Sequence, residues 1–302
     1  MGRRAFHVYS LRPQQTWYGR EQRLERCNFA DFELLALILS ALCWRRHNGT
    51  VRLYTDEACA DYFAARHLDG LWDDGIDTRA LAAAPLETNF TTFWAYARTI
   101  ALAHERAPCV MLDMDMVVWK SLASLIRSDF MAIHSEPLSF PVYVPKSRLA
   151  TPPGYEWQDW DWTVLPCNAA LMYFGDESAR RYCAEQGLKF MHGNFIEESA
   201  ELPVYAVFVE QRLYPMCVRK SGVTTCYFLR DYASEVLADG SPNDTFTHLW
   251  LYKRQLMQVR GARRTLCLRM IQRVVREFPD FQATLFRLPE VEGLLHGGSL
   301  GA

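Results

Sequence analysis

The chain has 302 residues of which 50% are hydrophobic, enough to bury a sizeable core as one large α/β domain or as a domain with a small appendage, and this excludes disordered and fibrous classes. A formal net charge of -2 gives no global attraction to nucleic acid, so no nucleic-acid partner is expected and any anion site must come from a local cluster. Nine cysteines, an odd number with no CxxC pair, fit a reducing compartment.

From the N-terminus, residues 5–10 read as a first strand, ending in Tyr9 and Ser10. Arg12-Pro13-Gln14 follows before any signal-peptide apolar segment develops. Residues 31–46 carry apolar side chains at helical spacing, and the apolar run 34–44 within them is too short to span a bilayer. The expectation is a cytoplasmic protein, free or peripheral on the inner membrane face. Residues 51–56 read as a second strand ending on Asp56. A helix over residues 90–105 leads into the apolar strand 109–112, and strand, helix, strand alternation predicts a mostly parallel sheet flanked by helices.

Beyond Trp119 the prolines 137, 141, 145, 152 and 153 exclude a long helix or a central strand. Residues 165–174 read as a strand, 177–187 as a short helix and 204–209 as another strand. Between Lys253 and Arg276 eight basic residues meet no acidic one, and the interleaved apolar residues make this a basic amphipathic helix that suits an anionic membrane face. The expected division is a main domain over 1–252, in two halves that meet at about 120, then a helical appendage over 253–302.

The central motif is Asp113-Met114-Asp115, directly after an apolar strand and before Met116-Val117-Val118. Ligands gather outside the carboxyl ends of strands in open α/β sheets. On a continuing strand, carboxylates two apart face the same way and suit a hard divalent cation, Mg or Mn. Burying both acids is costly unless a cation or hydrogen bonds compensate.

The run Phe93-Trp94-Ala95-Tyr96-Ala97-Arg98 followed by the Asp113-Met114-Asp115 strand resembles the core of the retaining GT-A glycosyltransferases related to glycogenin and the bacterial galactosyltransferases, the family-eight group. The resemblance covers roughly residues 9–253. It implies a GT-A, Rossmann-like fold, a UDP-sugar donor and transfer to a glycan or lipid-linked acceptor, with 1–252 as the catalytic domain, its nucleotide-sugar half to about 120 and its acceptor half about 121–252. It gives Arg98 a contact with the nucleotide sugar. Asn168-Ala169-Ala170 resembles the asparagine-serine-glycine strand lining the donor pocket, with alanines at the last two positions. Glu210-Gln211 resembles the acidic-glutamine pair beside the anomeric carbon. His248 matches the late histidine, the third protein ligand of the metal. A glycine and then a lysine follow in that group; here Leu251 stands at the glycine position and Lys253, the phosphate-contact candidate, comes one residue early.

Asp56 is the candidate to hydrogen-bond the base or ribose, with Tyr9 for stacking and Ser10 for a phosphate contact. The stretch Tyr155-Glu156-Trp157-Gln158-Asp159-Trp160-Asp161-Trp162 alternates rings with acids, as an acceptor-sugar site would, or as a strand burying its tryptophans would. An inverting reaction needs a general base, for which Asp159, Asp161 and Glu210 compete; a retaining one does not. Two other readings remain. The Asp motif also resembles that of haloacid-dehalogenase-type phosphatases, with Asp113 as nucleophile and Gly175-Asp176-Glu177 a partial later match. The alanines and Leu251 also fit a non-catalytic GT-A-fold binding protein.

Overall fold

The computed structural model describes residues 2–11, 27, 29–83, 89–90, 92–196, 203–231, 244–250 and 252–295. Its strands are β1 (Arg4–Tyr9), β2 (Val51–Thr55), β3 (Ile76–Asp77), β4 (Cys109–Leu112), β5 (Met116–Val118), β6 (Phe130–Ala132), β7 (Leu171–Phe174), β8 (Thr225–Tyr227) and β9 (Phe246–His248). Seven of them form one sheet in the order β3-β2-β1-β4-β7-β6-β8, and β5 pairs with β9 in a separate two-stranded ribbon. Every neighbour pair in the large sheet is parallel except those of β7, which runs antiparallel to both β4 and β6.

Alternate residues of the central strands enter two different cores. Ala5, Val110 and Leu112 pack with helix α1 (Asp31–His47) on one face, while Phe6, Cys109 and Met111 pack with α4 (Tyr96–His104) and α5 (Glu177–Met191) on the other; α2 (Glu57–Ala65) and the short α3 (Arg79–Ala82) lie between α1 and α4 in the chain. A strand covered on both faces shows a continuous apolar run rather than alternation, which is why 109–112 is apolar throughout. The sheet is therefore mixed, mostly parallel and flanked by helices, the class expected.

The sequence breaks where the chain turns tightly. After α1, Gly49 takes φ 144°, and a Cβ there would lie 2.3 Å from the Arg3 carbonyl oxygen, so the return to β2 passes too close to β1 for any side chain. At the C-terminal end, α8 (Lys253–Gln258) and α9 (Arg260–Glu277) precede the short α10 (Gln282–Leu285) and α11 (Pro289–Leu295). The apolar stripe Cys267, Met270, Ile271 and Val274 of α9 packs into the α1 core, and Arg263 Nε meets the buried Asp31 carboxylate at 2.6 Å. Among the described residues no helix is long and apolar enough to cross a membrane, and all nine cysteines are free thiols.

Several expectations change. Residues 204–209 are helical: α6 (Val204–Val207) runs into a π-helical turn over Phe208–Leu213 and then α7 (Tyr214–Lys220). A short apolar run has the same signature in a buried helix as in a buried strand, and burial against α5 decides for helix. The strand at 165–174 is confined to β7, because Cys167 N, Asn168 N and Ala170 N donate outside its ladder, to Gln211 O, His134 O and Asn168 Oδ1. The helix expected over 90–105 begins only at Tyr96, and the one expected over 177–187 continues to Met191. Residues 155–162 form neither strand nor helix.

Candidate active site

The two aspartates do not continue β4. The strand ends at Leu112, and Met116 N donates to Asp113 O at 3.0 Å, closing a tight turn before β5. It is this turn, rather than strand alternation, that sets the two carboxylates near each other. Two further bonds fix it: Asp113 N donates to Ala170 O at 2.8 Å, and Ser40 Oγ on α1 donates to Met116 O at 2.7 Å.

The β5-β9 ribbon delivers the histidine. Its register sets His248 opposite Met116, and Leu249 N donates to Asp115 O at 3.3 Å, so a residue remote in sequence lands beside the aspartate turn. His248 Nε2 lies 3.8 Å from Asp113 Oδ2 and 3.8 Å from Asp115 Oδ1. Its side chain is 7% exposed, and neither ring nitrogen has a hydrogen-bond partner among the described residues.

Each aspartate divides its oxygens between two tasks. Asp113 Oδ1 pairs with Arg98 Nη1, and Asp115 Oδ2 lies 3.1 Å from Lys253 Nζ. The other oxygen of each faces His248. Burial raises Asp113 above the usual carboxylate range, against the pull of Arg98. Burial also acts upward on Asp115, but Lys253 and then His248 outweigh it and hold that carboxyl below its ordinary value.

Arg98, on the first turn of α4, ties this cluster to a third acid. Its Nε lies 2.8 Å from Glu210 Oε1 and its Nη2 donates to Ala169 O at 2.6 Å. Burial lifts Glu210 to about 7, opposed by Arg98 and aided by Asp113. Glu210 and Gln211 belong to the π-helical turn, a wide form of helix that often marks functional positions. Gly187 of α5 allows that turn to approach: a Cβ there would lie 2.9 Å from Val209 Cγ1.

These residues line one cavity of about 620 Å³, together with Trp94, Glu136, Tyr143, Asn168 and Trp250. Asn168 is buried and its Oδ1 accepts from Ala170 N at 2.9 Å, which orders the segment that receives Arg98 and Asp113 N. Tyr143 Oη bonds both the Glu136 carboxylate and Gln211 Oε1. A phenol has one proton, so it donates to one of these two oxygens at a time. Glu136 and Tyr143 were missed in the sequence, since they sit in the proline-punctuated stretch without periodic context. Trp94 carried the one available signal, an aromatic one turn ahead of Arg98.

Not every candidate reaches the cavity. Asp161 is exposed, and its carboxylate is held by Thr163 N at 2.9 Å and Thr163 Oγ1 at 2.5 Å; it is not positioned as a base here. Asp159 is likewise exposed and outside the lining. Tyr9, Ser10 and Asp56 stand at the carboxyl ends of β1 and β2, outside the lining too: the Tyr9 ring packs 4.5 Å from Phe29, and Asp56 Oδ2 accepts from Leu11 N at 2.6 Å. Leu251 and Arg12-Pro13-Gln14 lie outside the described residues. Asp176, the partial phosphatase match, is the N-cap of α5, accepting from Ala179 N at 2.7 Å.

The donor atoms of Asp113, Asp115 and His248 lie within 4.8 Å of one another. Oxygen and nitrogen ligands at about 2.0–2.6 Å from one divalent ion span up to about 4–5 Å, so the set fits such an ion. A buried imidazole without a hydrogen bond, facing two carboxylates, is the arrangement a cation completes.

No family model and no curated protein sequence matches the chain. Solved structures do resemble it. One titled PaToxG glycosyltransferase aligns at TM-score 0.40 and 11% identity over 98% of this chain and 87% of that one. The galactosyltransferase LgtC with donor and acceptor sugar analogs aligns at 0.36 and 14% over 74% and 72%. Apo mouse xyloside xylosyltransferase 1 aligns at 0.36 and 13% over 72% and 81%.

Proposed function

We propose that the chain is a metal-dependent glycosyltransferase that moves a sugar from a nucleoside-diphosphate donor, UDP by the sequence resemblance, to a glycan or lipid-linked acceptor. The observation that carries this is the partly buried Asp113, Asp115 and His248 set sharing one cavity with Arg98 and the Glu210-Gln211 turn. A divalent ion, Mn or Mg, held by those three residues would supply Lewis-acid neutralisation of the diphosphate leaving group.

The chain's own side chains do the rest. Lys253 is 40% exposed at the cavity and already lies against Asp115, so it stands within reach of a diphosphate beside that carboxylate. Arg98 orients Asp113 through Nη1 and holds Glu210 through Nε. Gln211, fixed by Tyr143, presents a neutral polar group rather than a base. Glu210 is engaged by Arg98 through Oε1, and the retaining course that the sequence resemblance favours needs no free carboxylate base. Trp94 and Trp250, both nearly half exposed, offer apolar faces for an acceptor sugar. The phosphatase reading requires the motif after its domain's first strand, whereas here it follows β4.

The test is a panel of nucleotide sugars with Mn, followed by donor hydrolysis and thermal shift. Stabilisation and hydrolysis of a UDP-sugar that depend on Mn support the proposal. Phosphate release from aryl phosphates, with no response to any nucleotide sugar, contradicts it.

A further inference from the structure

A second cavity of about 820 Å³ adjoins the candidate site, with the Tyr143 side chain lining both. Its aromatic wall is Trp157 and Trp162, from the stretch that alternates rings with acids. Neither ring is loose: Trp162 stacks on Phe208 at 6.1 Å and 20°, and Trp157 lies 5.8 Å from Phe190 and 5.4 Å from Trp162. The buried Arg212 guanidinium donates to the carbonyls of Trp162 and Val164 and lies 5.6 Å from the Trp162 ring centroid, fixing the loop that carries the wall. Lys146 and Ser147, of the short 3₁₀ turn Lys146–Arg148, also line it. Lys146 Nζ lies over the Trp157 ring at 5.6 Å and has no hydrogen-bond or ion-pair partner among the described residues.

We propose that this cavity is a distal acceptor subsite, which takes a saccharide unit one or more positions removed from the unit that receives the transferred sugar. The proposal rests on the transferase reading. A pyranose has one face of C–H groups that packs on an indole, while its hydroxyls point outward to donors such as Lys146 and Ser147. Rigid rings with an ammonium beside them therefore match a sugar better than a purely apolar ligand. Continuity supplies the rest: Tyr143 bonds Gln211 in the first cavity and walls the second, so one chain of sugars passing Tyr143 reaches both.

The experiment titrates hexose and amino-sugar oligomers of one to four units into the full chain, followed by tryptophan fluorescence and saturation-transfer NMR. Affinity rises by about tenfold or more from the monosaccharide to an oligomer long enough to pass Tyr143, a difference of about 1.4 kcal/mol. Ser147→Trp fills the cavity from an exposed position without touching the core, and Lys146→Ala removes the ammonium; each cancels the gain with length. Affinity independent of length, no saccharide binding at all, an aromatic peptide bound in its place, or two variants that bind the longest oligomer like the parent would each overturn the proposal. UDP binding with Mn, measured separately on the parent chain, reports on the transferase reading. If it is absent while the length effect and its loss in both variants persist, transfer is refuted and saccharide recognition upheld.

Discussion

His248 stands directly opposite Met116 in the β5-β9 ladder, and this pairing brings its imidazole to 3.8 Å from both Asp113 and Asp115. The ladder uses backbone groups, so the imidazole can be removed without undoing the pairing. His248→Ala is expected to keep the fold and to weaken Mn binding by about tenfold or more, as loss of one of three ligands requires. Electron paramagnetic resonance of free Mn checks this; unchanged Mn affinity would remove His248 from the ligand set.

Lys253 holds the other oxygen of Asp115 and is partly exposed, so its charge is available to a diphosphate. Lys253→Met is expected to lower nucleoside-diphosphate affinity by about tenfold, in line with a charge-assisted bond of about 1.5–3 kcal/mol, while Mn still binds. Calorimetric titration with and without nucleotide separates the two effects.

Gly187 sets how closely α5 meets the turn that carries Glu210. Gly187→Val introduces branches where even a Cβ lies 2.9 Å from Val209 Cγ1 and 3.0 Å from Thr99 Cγ2. The expected cost is about 1–3 kcal/mol of stability from overpacking, read in a denaturant titration, with lower transfer activity because Glu210 moves with Val209. Activity equal to the parent at full stability would contradict the packing account.

A buried histidine ties the aspartate turn to the core. Trp72 Nε1 donates to His7 Nδ1 at 3.2 Å, which leaves His7 Nε2–H to donate to Ser40 Oγ at 3.1 Å, and Ser40 donates in turn to Met116 O. Burial lowers His7 to about 3, with the Asp115 charge acting weakly the other way. The folded pKa lies below the ordinary value of 6.5, so the unfolded chain takes up this proton first. The contribution is complete above pH 6.5 and is lost as pH falls from 6.5 toward 3, at up to about 1.4 kcal/mol per pH unit. Against the parent, His7→Gln should flatten the stability profile across that window, measured by denaturant unfolding at a series of pH values; parallel profiles would show that His7 is not the group.

Much of this was legible in the sequence for identifiable reasons. The apolar run before Asp113 marked a strand covered on both faces, and the burial of two acids marked the site. The helical nature of 204–209 was not legible, because a six-residue apolar run has no period to distinguish strand from buried helix. The Asp turn was read as strand for want of any glycine or proline to announce it. Glu136 and Tyr143 depend on how a proline-rich segment folds back over the sheet, which spacing alone does not encode. Asp161 was drawn in by the company of tryptophans, yet Trp160 turns into the core while Asp161 points to Thr163 and solvent.

The central claim is that Asp113 and Asp115 hold a cation that in turn holds a nucleoside diphosphate. Isothermal titration of UDP into the metal-stripped chain, with and without Mn, tests it most directly when repeated on Asp115→Asn. Binding is expected only with Mn in the parent and not at all in the variant, with the variant's melting transition retained. UDP affinity that is the same without Mn, or the same in Asp115→Asn, would contradict it.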